Sequence, residues 1–253
     1  MNNSTAATLA RSQCAILMIG LLCVGCGGPM TETVTDTVSK DFETAATTAA
    51  TSTIVAETFS GSIDITPSTD GKTHVEVRKK GFGKSSDEAR ANMNGITLKL
   101  VQDGTAVRVV ASGPLTLIPP LYGSADITLK IPPGATVRLI NRNGDIGATG
   151  SYAALHCETS NGSIQYRGTL GIGEQRFITR NGSVSLALPP AAAFELNAKL
   201  INARTASEFG MKLAGSTSGN TTHAIVGDLP APATLIDVAV TNGTLSIAKS
   251  TSL

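Results

Sequence analysis

The chain has 253 residues, of which 41% are hydrophobic, 15% charged and 4% aromatic, with no tryptophan and a formal net charge of +1. That balance excludes a nucleic-acid partner gathered by bulk positive charge and leaves few rings for stacking on sugars. The length suffices for one domain with a continuous core.

Taken in chain order, the first feature is an unbroken apolar run from Cys14 to Val24. It has the length of a signal-peptide core and is too short to cross a bilayer as a helix. It ends in Leu22-Cys23-Val24-Gly25-Cys26-Gly27, which resembles a bacterial lipobox. The resemblance implies that residues 1–25 are a signal peptide, that Cys26 carries lipid, and that Gly27 directs the chain to the outer membrane. The expected location is the cell envelope, lipid-anchored, periplasmic or surface-exposed. Cys23 stands where leucine is usual and Arg11 is the one early positive charge, so a plain secretory signal is the other reading. With Cys14 and Cys23 removed and Cys26 lipidated, Cys157 is the one thiol left, and no intramolecular disulfide can form. Cys157 is expected as a small buried residue.

Residues 26–57 are rich in Thr, Ala and Ser and show no apolar periodicity, which predicts a disordered tether. A folded domain is expected over 58–248, with 249–253 as a tail. It opens on Ser60-Gly61-Ser62-Ile63-Asp64-Ile65, where apolar and polar residues alternate as in a half-buried strand. His74 falls on the wet face of a later strand. Arg78-Lys79-Lys80 with Lys84 is the one basic cluster and reads as a solvated loop. Ser85 followed by Asp87 and Glu88 predicts a short capped helix, after which Ile96 to Leu100 resumes the strands. Turns at Asp103-Gly104 and Gly123-Ser124 precede further alternation at Val107 and Val109, and at Ile127, Leu129 and Ile131.

From there one turn recurs: Asn143-Gly144, Asn161-Gly162, Asn181-Gly182 and Asn242-Gly243, the glycines falling 18, 20 and 61 positions apart. Asn202-Ala203 and Asn220-Thr221 are degenerate copies in the last gap. Asn and Gly tolerate positive φ, so each pair makes a tight corner. Strands such as Val184, Leu186 and Leu188 follow, and Pro67, Pro132-Pro133 and Pro189-Pro190 end them. Second strands then run over Thr136 to Ile140 and Phe194 to Leu200. A period near twenty residues predicts an all-β, solenoid or β-helix-like stack of nine or ten coils, on the order of 45 Å long, with one short helix. The Asn column is expected to hydrogen-bond from coil to coil. An antiparallel β-sandwich is the alternative.

The copies Thr159-Ser160-Asn161-Gly162-Ser163-Ile164 and Thr179-Arg180-Asn181-Gly182-Ser183-Val184, with the helix before Ile96, resemble the bacterial putative-adhesin β-strand-repeat proteins, a family of unknown function. The resemblance spans nearly all of 58–248 and implies a right-handed solenoid-like stack on the cell envelope. It supplies no catalytic residues.

An enzyme acting on polysaccharide would need acids clustered near a base or cation. Asp126, Asp145, Glu158, Arg142, Arg180 and Arg204 are the candidates. Arg142 and Arg180 each precede a repeat Asn, a position that Ser160 and Thr241 fill elsewhere, so an exposed polar position is the simpler account. His74, His156 and His223 lack metal-ligand spacing, and neither a metal nor a cofactor is expected. Arg142, Arg180, Tyr122 and Tyr166 are the candidate surface contacts. The reading is a non-enzymatic, membrane-anchored envelope lipoprotein for adhesion or scaffolding, meeting an envelope protein or surface polysaccharide and no nucleic acid. A polysaccharide-processing enzyme and a periplasmic partner of an envelope stress-signalling system are the alternatives.

Overall fold

Alternation of buried and exposed residues runs through almost every strand of the computed structural model, which describes residues 32–43, 52–113, 122–213, 220–227 and 234–250. In chain order the strands are β1 (Glu32–Phe42), β2 (Thr53–Thr58), β3 (Ile63–Pro67) and β4 (Thr73–Gly83). Helix α1 (Ser86–Asn94) follows, then β5 (Thr97–Asp103), β6 (Ala106–Ser112), β7 (Gly123–Ile131), β8 (Thr136–Asn143) and β9 (Ile146–Thr149). The remainder are β10 (Ala154–Asn161), β11 (Ile164–Arg167), β12 (Gln175–Asn181), β13 (Val184–Leu188), β14 (Phe194–Leu200), β15 (Ala203–Ser207), β16 (Lys212–Leu213), β17 (Thr221–Val226) and β18 (Leu235–Lys249). The chain is thus all-β apart from α1.

The strands join into one 18-stranded sheet that folds over itself as two ladders. The first ladder stacks β6, β2, β8, β10, β12, the first half of β18, and β14, all parallel. The second stacks β7, β3, β9, β11, β13, the second half of β18, and β15, again all parallel. Among the described residues the layers cross from one ladder to the other at corners, and five of these carry Asn: Asn143, Asn161, Asn181, Asn202 and Asn242. Apolar side chains from both ladders fill one shared core, with Tyr152, Tyr166, Phe177 and Phe194 among its largest members.

Two expectations about this stack change. Seven parallel strands in each ladder do not fit an antiparallel sandwich. Nor do coils follow one another in sequence: β2 and β3 lie between β6/β7 and β8/β9, and β18 lies between β12/β13 and β14/β15. The ends are antiparallel, with β5 on β6, β4 on β7 and β1 on β4 at one end, and β17 on β14 and β16 on β17 at the other. The cause is local: Gly104-Thr105 returns the chain at once between β5 and β6, a link that only antiparallel neighbours can use. The Asn220 copy likewise leads into antiparallel β17 rather than a new layer.

The tether expected over 26–57 is also corrected where the structure describes it, at 32–43 and 52–57. β1 pairs with β4 from Glu32 opposite Gly83 to Phe42 opposite Thr73, and Phe42 is 2% exposed. Ile54 and Ala56 of β2 are fully buried. Thr33, Val34, Thr35, Thr37 and Val38 are β-branched and suit a strand; an edge strand needs few apolar residues, so its composition resembles that of a linker. Among the described residues the fold therefore begins at Glu32. At its other end β18 runs to Lys249, one residue beyond the expected boundary.

Helix α1 has the expected cap, the Ser85 side chain accepting from the Glu88 amide, and buries Ala89 and Met93. It lies so close on β4 that a Cβ at Gly81 would sit 2.0 Å from the Ala89 carbonyl oxygen. The basic cluster before it is no loop: Arg78 and Lys80 lie in β4 and meet Asp126 at 3.3 and 2.6 Å, while Lys79 meets Asp36 at 3.3 Å. No helix among the described residues is long and apolar enough to cross a membrane.

Candidate functional site

The corners set the geometry of everything around them. At Asn143, Asn161, Asn181 and Asn242 each side-chain amide points along the stack. Asn161 Nδ2 donates to Asn143 Oδ1, Asn181 to Asn161, and Asn242 to Asn181, each at 2.8 Å. Asn143 caps the column by donating to the Phe59 carbonyl at 3.1 Å, and Asn202, at φ +49, joins its far end through Asn242 at 3.4 Å. The following glycines, Gly144, Gly162, Gly182 and Gly243, adopt φ between +133 and +156 and bring successive backbones into contact. Inside the corner runs a buried second column. Thr159 Oγ1 donates to the Gly144 carbonyl at 3.0 Å, Thr179 to Gly162 at 2.9 Å, and Asn141 Nδ2 to Gly61 at 2.7 Å. Val240 occupies the corresponding place in β18 and has no hydroxyl. The Thr-x-Asn-Gly grammar thus pairs polar groups that the corner would otherwise bury or leave in competition with water.

The rigid corners hold the outward residues of the first ladder in register. On β8 these are Arg138, Ile140 and Arg142; on β10, His156, Glu158 and Ser160; on β12, Arg176, Ile178 and Arg180. Arg138, His156 and Arg176 are direct neighbours across the three strands, as are Ile140, Glu158 and Ile178. Arg142 and Arg180 flank Ser160, so four arginines mark the corners of a flat tile. The Arg138 column extends through Val55 to Arg108 on β6. Arginine therefore recurs on every second strand, about 10 Å apart at two strand spacings. Arg108 meets Glu57 at 2.8 Å and Arg176 meets Asp237 at 3.4 Å, whereas Arg138, Arg142 and Arg180 have no ion pair among the described residues. At the tile's edge, His156 Nε2 lies 3.5 Å from Glu158 without a well-formed hydrogen bond. Burial first, and then the charges of Arg138 and Arg176, hold its pKa below the usual imidazole range, so it is neutral at neutral pH.

The other expected contacts scatter. Tyr122 is 54% exposed, next to β7. Tyr166 is corrected: it is 2% exposed, its ring in the core and its hydroxyl donating to the Gly150 and Thr169 carbonyls. Of the acids, Asp126 lies on the second ladder, where burial works to raise its pKa but Lys80, the Ser62 amide and Arg78 hold it low. Asp145 accepts from the Ser163 amide at 2.7 Å at a corner, and Arg204 stands exposed on β15 at the far end. Only Glu158, Arg142 and Arg180 share a face. Among the described residues no three of His, Cys, Asp and Glu gather to hold a metal ion. Cys157 is fully buried, which pushes its thiol far above the usual range. Cys26 and the expected signal peptide lie outside the described residues.

His74 is more than a wet strand residue. Its Nδ1 meets Asp41 of β1 at 2.8 Å and its Nε2 meets Asp70 at 2.9 Å. Hydrogen bonds to Asp41 and then Asp70 raise its pKa. A raised folded-state pKa contributes stability that is fully present below about pH 6.5 and is lost as pH rises through the folded value. NMR titration of the imidazole is expected to give a midpoint above that of a free histidine, and Asp41→Asn is expected to lower it. An unchanged midpoint in the variant would remove the β1 contact from this account.

No known family model matches the chain, and no curated protein matches it. Solved structures do. A putative cell adhesion protein from Clostridium sporogenes aligns with a TM-score of 0.50 at 10% identity, over 85% of this chain and 100% of that one. A putative adhesin from Bacteroides fragilis aligns over 85% and 97% at 15% identity with a TM-score of 0.33. A putative lipid binding protein from Parabacteroides distasonis aligns over 85% and 96% at 9% identity with a TM-score of 0.26. The first likeness extends to the fold.

Proposed function

We propose that the chain is a non-enzymatic cell-envelope protein, anchored through lipid on Cys26, whose stacked strands present a surface for adhesion or scaffolding. The observation that carries this reading is the tile on the first ladder: an outward face with three arginines that have no ion pair among the described residues. Flat faces held by a hydrogen-bonded column suit binding, whereas hydrolytic chemistry needs a cleft with converging acids. The fold it shares with a structure described as a putative cell adhesion protein supports the same role. In this reading the stack acts as a right-handed, solenoid-like rod with reinforced corners.

Fractionation with protease shaving of intact cells tests it, comparing the native chain with Cys26→Ser. The expected result is a membrane-bound, protease-sensitive protein that becomes soluble in the variant. A variant that partitions like the native chain would remove the anchor. Protease resistance in intact cells would place the protein in the periplasm and move the proposal from adhesion to scaffolding within the envelope.

A further inference from the structure

We propose that the outer face of the first ladder is a binding track for a linear acidic polysaccharide carrying carboxylates. The proposal rests on the reading of this chain as a binding module and names its ligand. Three observations converge on it. Arg108, Arg138 and Arg176 stand in one column on β6, β8 and β12, so cations repeat about every 10 Å along the stack axis. Arg142 and Arg180 form a second, parallel column displaced by four residues along the strands, about 13 Å. Third, the intervening residues leave most of the track open: Val55, Ile140 and Ile178 are half-buried, and two acids stand along it, Glu158 inside the tile and Glu57, which pairs with Arg108.

A line of evenly spaced guanidinium groups fits a polymer whose charges also recur along a line. Each planar fork can take a carboxylate with two parallel N–H donors. The ends of the track are set by charge as well. Asp237 follows Arg176 on the next strand at 3.4 Å, and Asn197 lies beyond it in the same column. Arginine therefore stops at β12 along that line. A membrane of anionic lipid would accept the same charges. The track nevertheless faces away from the second ladder, on which β1 pairs through β4. No large apolar side chain stands fully exposed within the tile to enter a bilayer.

The test uses the full chain carrying Cys26→Ser, so that no lipid contributes, with polygalacturonate as the probe and dextran as the neutral polymer. Binding to polygalacturonate and not to dextran is expected, weakening about tenfold between roughly 50 and 200 mM salt as screening grows. Arg138→Gln with Arg176→Gln is expected to weaken it on the order of 25-fold, at about fivefold per exposed arginine. Arg167→Gln, which removes an exposed arginine from the second ladder, is expected to leave it within about twofold. These arginines are surface residues, and an unchanged thermal transition in the variants confirms folding. Absence of polygalacturonate binding, or equal loss with Arg167→Gln, would overturn the proposal. So would flotation of the chain with phosphatidylglycerol vesicles at concentrations where the polymer is not bound, which would make the face a membrane contact. Any of these results would leave the anchored, surface-exposed placement standing, because protease shaving reads that separately.

Discussion

Gly182→Ala is expected to destabilise the protein by about 4 kcal/mol and to lower its melting temperature by roughly 10 °C. Gly182 has φ +150, a conformation that costs an L-residue roughly 1–3 kcal/mol by itself. The larger part of the effect is the approach of the next layer. A Cβ here would lie 2.0 Å from the Gly162 carbonyl oxygen and 2.5 Å from its carbon, both backbone atoms locked in the ladder. Gly162 and Gly243 repeat this arrangement against Gly144 and Gly182, so a displacement at one corner is passed to the next. Gly134→Ala separates the two causes. Gly134 also has positive φ, at +76, but nothing lies within 4 Å of its would-be Cβ, and its replacement is expected to cost only about 1 kcal/mol. Chemical denaturation of both variants decides the matter; equal losses would mean that the close approach contributes nothing.

Phe42→Ala is the second large effect, expected at about 3 to 4 kcal/mol. Phe42 closes β1 opposite Thr73, is 2% exposed, and carries Lys40 Nζ 4.7 Å above its ring centroid. A linker residue would tolerate alanine with a change within about 0.5 kcal/mol. The denaturation midpoint therefore distinguishes an integral edge strand from a flexible lead. A null result would return residues 32–43 to the tether.

What the residue pattern revealed and concealed follows from range. Each Asn-Gly corner is decided by four or five neighbouring residues, so its position is legible, as are the strands that leave it. The period near twenty also places Asn over Asn, because equal layers stack their corners. The order of layers is another matter. Nothing local to Leu235–Lys249 marks it as the partner of both β12 and β14, since parallel neighbours are chosen by shape and burial across the whole core. The arginine track was half visible. Arg142 and Arg180 stand out beside the repeat Asn, but Arg138 and Arg176 lie four residues earlier on the same outward face, and only strand alternation links them. Tyr166 misleads for the opposite reason. A tyrosine between polar neighbours reads as exposed, yet two backbone carbonyls satisfy its hydroxyl inside the core.

The late strand β18 also governs when the molecule can become itself. Among the described strands it is the last to be made, and it fills an interior slot in both ladders at once, separating β12 and β13 from β14 and β15. Until it arrives, β12, β13, β14 and β15 show bare edges in the middle of the stack. Contacts of such long sequence separation form slowly. The fifteen-residue strand therefore acts as a clasp that completes both ladders in one step.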